Sequence, residues 1–391
     1  MTARTGRHLL MIEQGGRGGV ADYTAELVAA LAAEGWSVTL ATAADHLYPA
    51  IDGVALMPVF HYTRGDTRLA RAVRARGLGK VVNGLRFLAA LPRLMRLAAG
   101  ADVVHSQGWE SPQIGLIAVL ALRLTGTPLV QTEHGAFDRT SRYLRIRRLT
   151  RRLRAHLTAR TIVHTQADLA RVAPLLGERA VVIPHGEYGG LARSGGVAER
   201  AGSRSALGLA QDVPATLMFG QLRTDKGIDD LLAAVERVPD LHLLIGGQDA
   251  GGLAAVRERL DALGDRVTLR EGFLDMAQTA ELFAAADTVS LPYREASQSG
   301  VLLLSYGFAR PVIVYPSGGM VEAVIDGETG WICPAPTVDA LVEVLAASVG
   351  AGAEECARRG ERGRQLAQER FAWPAIARRT VDIYEQVLRP A

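Results

Sequence analysis

Short apolar runs alternate along the chain with longer segments in which apolar residues recur every three or four positions. The first two runs are 8–12 and 36–41, and the segment 20–34 between them has its apolar residues at helical spacing. Gly35 ends that segment, as glycine commonly does after a helix. Strand, helix and strand in this order predict a βαβ unit, and therefore a parallel sheet.

The same alternation continues and then restarts after a glycine-rich stretch. Runs that predict strands lie at 102–105, 128–132, 161–164, 180–183, 215–219, 241–245, 267–270, 288–291 and 312–315. Segments with apolar residues at helical spacing separate the later strand runs, at 227–238, 253–263, 279–286 and 300–308. The polar stretch between the two series contains Gly189, Gly190, Gly195 and Gly196, which favour a linker.

This pattern predicts an α/β fold with two Rossmann-like, doubly wound parallel-sheet domains. We place the first over residues 1–186, a linker over 187–205 and the second domain over 206–368. Ligands of such sheets bind at the carboxyl ends of the strands. We also expect a ligand in the cleft that two such domains form when they face each other.

Composition and cysteine content narrow the class of protein. The chain has 391 residues, of which 48% are hydrophobic and 22% charged, so wholesale disorder is excluded. The two cysteines, Cys333 and Cys356, exclude a disulfide framework. No apolar run has the length of a signal-peptide core or a membrane span, so we expect a cytoplasmic protein.

Charge is distributed unevenly along the chain. Residues 61–160 contain 19 Lys and Arg against 5 Asp and Glu, although the net charge of the whole chain is only +3. Within this block, Arg139 to Arg160 has nine arginines, no acid and a leucine-rich stripe, which predicts a basic amphipathic helix. Two interpretations stay open. The helix has either a solvated face, or a peripheral contact with an anionic acceptor or with the inner face of the membrane.

A glycine turn follows the first strand. Gly16, Gly18, Gly19 and Ala21 fit the G-x-G-x-x-A pattern of dinucleotide-binding proteins, and Asp45 follows the second strand. Free amides at a helix N-terminus bind any anion, however. The turn is therefore compatible with a dinucleotide, with another diphosphate, with an incoming sugar or with a tight turn that binds nothing.

The second half carries a more specific pattern. Gly220 ends a strand, Arg223 and Lys226 follow three residues apart, and a helix begins after them. Arginine offers a fork and lysine a point charge to phosphate oxygens. Lys226 is one of only two lysines in the chain, which favours a specific need for lysine at this position.

Two further helix starts in this half are suited to anions. The polar residues Ser297, Gln298 and Ser299 lead into an apolar helix at Gly300, and Gly318 and Gly319 precede Glu322 in the same manner. Together with the two cations, they indicate a nucleoside diphosphate rather than a lone phosphate.

These motifs resemble those of the retaining glycosyltransferases of the GT-B fold in the large group numbered family four, also called group 1. The resemblance covers nearly the whole chain. The glycine turn resembles the family's acceptor-side loop, and His134 the histidine beside the donor sugar and pyrophosphate. The segment 220–227 resembles the phosphate-binding loop, and 287–322 the donor-binding core. Residues 369–391 resemble the C-terminal helix that crosses back to the N-terminal domain.

Two departures from the family pattern stand out. Gln221 occupies the usual arginine position, and Arg223 carries the guanidinium instead. Ser297 and Ser305 occupy the positions of two glutamates that normally contact the donor sugar and the ribose. We therefore expect a variant donor site, in which Glu295 supplies the lost contact to the sugar.

The resemblance implies transfer of a sugar from a nucleoside diphosphate sugar to an acceptor hydroxyl, with retention at the anomeric carbon. It implies no metal and no cofactor other than this co-substrate, and no nucleic-acid partner. The catalytic residues would be His134, Arg223 and Lys226. Donor-binding residues would be Gly16, Gly220, Gly272, Phe273, Glu295, Ser297, Gln298, Ser299, Gly300, Val301, Ser305 and Glu322. The acceptor side would comprise Gly18, Gly19, His105, Gln107, Trp109 and Glu110.

Two other functions compete with this interpretation. An NAD(P)-dependent oxidoreductase would use the N-terminal glycine turn and Asp45. A catalytically silent subunit that binds a sugar nucleotide or a lipid would account for the two missing glutamates. The acceptor stays open among a glycan, a lipid-linked sugar and a small molecule.

Overall fold

The structure is a computed structural model, and it describes residues 6–63, 71, 75, 78–109, 111–135, 144–194 and 198–389. The chain divides into two compact units. Unit 1 contains Met1–Gly186 and Trp373–Ala391, and unit 2 contains Glu187–Ala372.

Unit 1 is built on a seven-stranded parallel sheet. Its strands are β1 (His8–Ile12), β2 (Ser37–Ala43), β3 (Val54–Phe60), β4 (Val103–Ser106), β5 (Leu129–Thr132), β6 (Arg160–Val163) and β7 (Ala180–Val182). The helices between them are α1 (Gly19–Ala33), α2 (Gly79–Ala99), α3 (Pro112–Arg123), α4 (Leu144–Leu157) and α5 (Gln166–Leu176). The strand order is β3-β2-β1-β4-β5-β6-β7.

Unit 2 has a six-stranded parallel sheet of the same winding. Its strands are β8 (Ala215–Phe219), β9 (His242–Gly247), β10 (Val267–Glu271), β11 (Thr288–Leu291), β12 (Val312–Val314) and β13 (Gly330–Ile332), in the order β10-β9-β8-β11-β12-β13. Its helices are α6 (Gly189–Ser194), α7 (Arg200–Ala206), α8 (Ile228–Glu236), α9 (Arg257–Leu263), α10 (Met276–Ala285), α11 (Gly300–Gly307), α12 (Met320–Ala323) and α13 (Val338–Arg370). The last helix of the chain, α14 (Trp373–Leu388), belongs to unit 1.

The prediction of two doubly wound α/β domains is confirmed. In each sheet the first strand of the unit lies in the middle, and the order reverses beside it. Helices cover both faces, so the central strands are buried on both sides and read as continuous apolar runs. Leu9–Ile12 of β1, for example, are fully buried. The runs at the start of each half therefore mark the centre of each sheet.

The sequence pattern does not predict two of the strands. β3 contains Pro58 and lies at the edge of its sheet, where a missing N–H is tolerated and the apolar pattern is broken by exposure. β13 has only three residues. One helix also begins earlier than its apolar spacing predicts: Asp275 and Gln278 form a capping box that starts α10 at Met276.

The structure differs from the expected linker over 187–205. Helices α6 and α7 occupy much of this segment, and Tyr188 and Ala192 belong to the apolar core of unit 2. A Cβ on Gly307 of α11 would lie only 3.0 Å from the carbonyl oxygen of Tyr188. The small residues here thus permit close packing rather than flexibility. Gly195 and Gly196 lie outside the described residues.

Arg204 in this segment is the centre of a buried polar network. Its guanidinium is fully buried and donates to Asp287 Oδ2 at 2.8 Å. It also donates, at 2.7–3.2 Å, to the carbonyl oxygens of Ala210, Gln211, Val213 and Ala285. Asp287 accepts further bonds from Arg200 Nη2 and from the backbone N–H of Ala215 at the start of β8. The network therefore joins α7 to the central strands.

The C-terminal helix α14 packs on α1 within unit 1. Ile376, Ala377 and Tyr384 of α14 are buried in the same core cluster as Leu27 and Leu31 of α1. This packing brings the Tyr384 hydroxyl to 2.6 Å from His105 Nδ1 at the end of β4.

Replacing Arg204 tests this network. We expect Arg204→Met to lower the free energy of unfolding of unit 2 by about 3–5 kcal/mol, because Asp287 and several carbonyls lose a buried partner. Arg200→Met is the matched control: its side chain is 33% exposed, and Asp287 would keep Arg204. The control should cost at most about 1 kcal/mol. Hydrogen exchange of the β8 and β11 amides measures both, and equal losses would contradict the assigned role.

Candidate functional site

The strand order of unit 2 reverses between β8 and β11, and this point organises the candidate site. The loops 220–227 and 292–299 leave the carboxyl ends of these two strands. Because the connections diverge to opposite sides, a crevice opens between such loops, and ligands of doubly wound sheets bind there.

Three glycines follow one another along the carboxyl edge of β8, β9 and β10. Gly220, Gly247 and Gly272 have φ angles of 109°, 138° and 124°, which other residues rarely adopt. Gly220 N donates to Gly246 O at 2.9 Å, and Gly272 N to Gly247 O at 3.0 Å. A Cβ on Gly247 would lie 1.8 Å from Gly220 O. At Gly247 backbone therefore lies against backbone with no room for a side chain, whereas a Cβ on Gly272 would meet nothing within 4 Å.

The two predicted cations lie in the loop that follows β8. Arg223 donates from Nε and Nη2 to the carboxylate of Asp225, each at 2.8 Å. Lys226 closes a 3₁₀ turn, and its Nζ lies 3.6 Å from the ring centroid of Tyr293. A cation over an aromatic face is stabilised by the ring quadrupole. The contact holds the ammonium of Lys226 beside the loop that follows β11.

Backbone contact joins the same two loops. Gly227 has a φ of 72°, and a Cβ there would lie 2.1 Å from the carbonyl oxygen of Pro292. Tyr293 is buried and shares a side-chain hydrogen bond with Ser299, while burial raises the pKa of its hydroxyl. The structure thus brings Arg223, Lys226 and the loop before α11 together, as the sequence predicts.

The three polar residues before α11 differ in their hydrogen bonding. Ser299 caps the helix, since its Oγ accepts from Leu302 N at 3.2 Å. Ser297 accepts a hydrogen bond through its carbonyl oxygen from Gly319 N at 3.1 Å. The side-chain oxygen of Gln298 is buried with no hydrogen-bond partner among the described residues. Such an acceptor is suited to a hydrogen-bond donor of a bound molecule or of a water.

The remaining predicted donor residues differ in how far they are buried. Ser305 is fully buried, and its hydroxyl donates to Val301 O at 2.7 Å within α11, so it does not replace the lost carboxylate. Glu295 and Glu322 are exposed, and so is Phe273 next to Gly272. The two carboxylates are therefore accessible to a ligand without rearrangement of the core.

The N-terminal glycine turn of unit 1 is organised by a buried carboxylate that the sequence analysis missed. Glu13 accepts from Gly15 N at 2.7 Å, and from Gly16 N at 2.6 Å and the Tyr48 hydroxyl at 2.9 Å. The amides of Gly15 and Gly16 are therefore already used inside the protein. A Cβ on Gly16 would lie 2.9 Å from the Cα of His46, so this glycine serves close packing.

The beginning of α1 is more open. Gly18 and Gly19 have no atom within 4 Å of the position where a Cβ would lie. Asp45 pairs with Arg17 at 2.9 Å. A dinucleotide site needs free amides in the turn and a free acid for the ribose, and this turn has a carboxylate beneath it instead.

Histidines lie at or just beyond the carboxyl ends of four neighbouring strands of unit 1 and form a connected group. His134, after β5, lies 3.2 Å through Nδ1 from Nε2 of His164, after β6. His134 Nε2 lies 2.9 Å from the side-chain amide of Gln107, at its Oε1 position. His164 Nδ1 lies 3.0 Å from Ile183 O. The ring of His185 lies beside His164, with 5.3 Å between centroids.

Burial keeps these histidines neutral. It lowers the pKa of His164 to about 4 and that of His185 to about 3. Burial, together with neighbouring histidines, also lowers the pKa of His105 to about 3 and that of His134 well below its usual range. His105 is fully buried between the Tyr384 hydroxyl and Thr132 Oγ1, at 2.6 and 2.7 Å. It therefore holds the end of β4 in place and offers no free nitrogen to a ligand.

The other residues predicted on the acceptor side give a mixed result. Gln107 contacts His134, as described above, and the indole nitrogen of Trp109 is buried with no hydrogen-bond partner in the described part of unit 1. Glu110 lies outside the described residues. His164 was not among the residues predicted for the site, although it ends a predicted strand, just as His105 does.

The described ranges contain no group of three or more His, Cys, Asp or Glu side chains that is arranged to hold a metal ion. What the site of unit 2 offers a ligand is two cations, a helix N-terminus and a backbone edge. This combination binds polyanions with a flat or hydroxylated appendage.

Comparison with known proteins agrees with this chemistry. Residues 18–207 match the family model described as a glycosyl transferase 4-like domain, and residues 213–370 match that described as glycosyl transferases group 1. Over 200 residues the chain is 30% identical to the D-inositol 3-phosphate glycosyltransferase of Xylanimonas cellulosilytica. That match covers 49% of this chain and 47% of the relative, so it spans about half the relative's length.

Solved structures share the fold across nearly the full length. Sucrose-phosphate synthase of Thermosynechococcus elongatus has a TM-score of 0.74 at 23% identity, covering 97% of this chain and 99% of that one. HepE of Anabaena, in complex with UDP and glucose, has a TM-score of 0.73 at 17% identity, covering 96% and 99%. With two family models that follow each other along the chain and two sheets of matching winding, the chain belongs to the glycosyltransferase group 1 family and has its GT-B fold.

Proposed function

We propose that the protein transfers a sugar from a nucleoside diphosphate sugar to an acceptor hydroxyl, with retention at the anomeric carbon. The observation that carries the proposal is the grouping of Arg223, Lys226 and the N-terminus of α11 at the carboxyl edge of the unit 2 sheet. A leaving diphosphate gains negative charge during transfer, and fixed cations and amides stabilise that charge.

The donor would lie along this edge. The backbone at Gly220, Gly247 and Gly272 leaves room for a flat nucleoside base, because no Cβ stands in the way. The diphosphate would meet the two cations and the amides of Gly300 and Val301. Gln298 would receive a donor hydroxyl at its buried, unpartnered oxygen. Exposed Glu295 and Glu322 would contact the sugar.

The chemistry that follows needs neither a metal nor a protein nucleophile. Both glutamates of the family pattern are absent, so no carboxylate at those positions can form a covalent intermediate. The acceptor hydroxyl would attack from the face that the diphosphate leaves, and the leaving phosphate oxygen would accept its proton. The C1–O bond to phosphate breaks as the bond from C1 to the acceptor oxygen forms.

The comparisons support a sugar nucleotide as the donor. HepE was solved with UDP and glucose, and the curated relative is named for glycosyl transfer to D-inositol 3-phosphate. We carry to this chain only the class: a nucleoside diphosphate sugar and a hydroxylated acceptor. The experiment is a thermal-shift panel of UDP, GDP, ADP and TDP, followed by donor hydrolysis and by transfer to D-inositol 3-phosphate and other polyols.

This panel also tests the two competing functions. NADH alone should not stabilise the protein, because Glu13 occupies the amides of Gly15 and Gly16 in the N-terminal turn and Asp45 is paired with Arg17. Stabilisation by NADH but by no nucleoside diphosphate would favour an oxidoreductase. Binding of a sugar nucleotide with no detectable hydrolysis or transfer would favour a silent subunit.

His134 would position the transferred sugar in a defined tautomer, with a sugar hydroxyl replacing the Gln107 amide at its Nε2. His164 Nδ1 faces the carbonyl oxygen of Ile183, which can only accept, so Nδ1 carries the proton and Nε2 does not. His134 must then donate from Nδ1 to His164, which leaves its own Nε2 as an acceptor. The Gln107 amide consequently turns its NH₂ group toward His134. His164 would therefore act as a positioning residue.

Removing either cation tests the diphosphate assignment. We expect Arg223→Ala and Lys226→Ala each to lower kcat/KM at least about tenfold, because charge stabilisation in the transition state is lost. Arg237→Ala is the control, since that exposed arginine pairs with Asp339 at the end of α8, remote in sequence from both loops. Steady-state kinetics decide. Unchanged turnover in both variants would refute the assignment.

The contact between the two loops has its own test. Gly227 and Gly208 have nearly the same φ, 72° and 70°, so Gly227→Ala and Gly208→Ala share a backbone strain of about 1 kcal/mol. A Cβ at 208 has nothing within 4 Å, whereas one at 227 meets Pro292. We expect only Gly227→Ala to weaken binding of the preferred nucleoside diphosphate, by about tenfold or more in calorimetry. Equal affinities would show that the loops need not meet to bind the donor.

The role of His164 is tested by two amides of different reach. The Gln side chain of His164→Gln reaches the position of Nε2 and keeps an acceptor for His134, whereas that of His164→Asn reaches only Nδ1. We expect His164→Asn to lower kcat by about tenfold and His164→Gln much less, at similar melting temperatures. Nitrogen-15 NMR should find His134 protonated on Nδ1 in the wild type. An Nε2–H tautomer there, or equal kcat in the two variants, would contradict the positioning role.

A further inference from the structure

Three helices of unit 1 form one layer and carry apolar side chains on both sides. α3 packs against α2 and against α4. The inner side of the layer is conventional: Phe87 and Leu94 of α2 and Val119 and Leu122 of α3 are buried against the sheet. The outer side is not, because it exposes large aliphatic residues at helical spacing.

These outward residues form a stripe on each helix. The stripes consist of Leu78, Val81, Leu85 and Leu88 along α2, Ile117, Leu120 and Leu124 along α3, and Leu149 and Leu153 on α4. They are between 42% and 80% exposed. Together they account for nine of the twelve exposed large hydrophobic residues in the described part of the chain. We call this set the outer face. So strong a concentration marks an interaction surface.

The charge of the layer has a single sign. α2, α3 and α4 contain eleven Lys and Arg and no Asp or Glu. Only Arg154 among the described arginines of α4 turns inward, where it pairs with Glu133 at 3.3 Å. Exposed cations such as Lys80, Arg123 and Arg152 border the stripes. The basic segment noted at 139–160 is thus one part of a larger surface, and its residues 139–143 lie outside the described residues.

Exposed aliphatic residues together with cations favour one class of partner over the others. A second copy of the chain would bring two strongly basic layers together without any acid on their helices to balance the charge. Nucleic acid and acidic glycans would pair with the cations but would gain little from exposed leucines. An anionic bilayer can bind both kinds of side chain. Its lipid headgroups neutralise arginine and lysine, and the aliphatic side chains enter the boundary of the acyl chains.

We propose that the outer face binds the surface of an anionic lipid bilayer, with α2, α3 and α4 lying along it. No helix in the described ranges is long and apolar enough to cross a membrane. Binding would therefore be peripheral and reversible, and sensitive to salt because the cations contribute to it. The proposal does not depend on the proposed reaction, since no residue of the outer face belongs to the assigned donor site.

The test measures vesicle binding by the full chain without any donor or acceptor. The vesicles contain phosphatidylcholine alone or phosphatidylcholine mixed with phosphatidylglycerol, at low and at high salt. The variant is the double substitution Leu85→Glu with Leu124→Glu. Its control is Leu47→Glu, because Leu47 is as exposed as Leu85, at 63%, but follows β2 and lies outside the layer. Circular dichroism verifies that both variants are folded.

We expect binding to the anionic vesicles that weakens in high salt, and at least about tenfold weaker binding to neutral ones. The double variant should lose about tenfold or more in affinity, and the control should bind as the wild type does. Equal loss in both variants, or no binding to anionic vesicles, would overturn the proposal. So would a dimer in lipid-free sedimentation that the double variant abolishes, because it would assign the face to a second copy. Activity assays stay separate, so failure here leaves the proposed reaction standing.

Discussion

Close approach of backbone to backbone at the carboxyl edge of the unit 2 sheet is the constraint on which the candidate site depends. Gly247 meets the carbonyl of Gly220, and Gly227 meets the carbonyl of Pro292, at separations that no Cβ fits. The first contact excludes a side chain at position 247, and the second joins the two loops at the reversal of strand order. Lys226 can lie on the ring of Tyr293 only because these loops touch.

Unit 1 differs from unit 2 in how its polar groups are used. Four histidines lie at or just beyond the ends of adjacent strands, and burial lowers the pKa of each, which keeps them uncharged. Since neutral imidazoles are directional, the carbonyl of Ile183 determines the tautomer of His164 and, through it, that of His134. Glu13 fixes the glycine turn by accepting hydrogen bonds from the amides of Gly15 and Gly16. Both arrangements use polar groups inside unit 1, near the carboxyl ends of its strands.

The two units differ in the number and arrangement of their cations. Unit 2 holds Arg223 and Lys226 in fixed positions, through Asp225 and the ring of Tyr293 respectively. Unit 1 presents many cations on three helices, mixed with aliphatic residues and without acids. The first arrangement suits a small polyanion of definite shape, and the second suits an extended anionic surface.

Local patterns were sufficient to predict two doubly wound sheets with all of their strands except β3 and β13, and to single out Arg223, Lys226 and the polar loop before α11. Each of these depends on residues near one another in the chain: continuous apolar runs, helical spacing, or a strand end followed by a helix start. Gly247, Arg204, Glu13 and His164 were missed because their importance comes from partners distant in the sequence. The same holds for the outer face, whose leucines read as ordinary core positions in the sequence. Only the packing of α2, α3 and α4 into one layer decides which apolar stripe faces the sheet and which faces solvent.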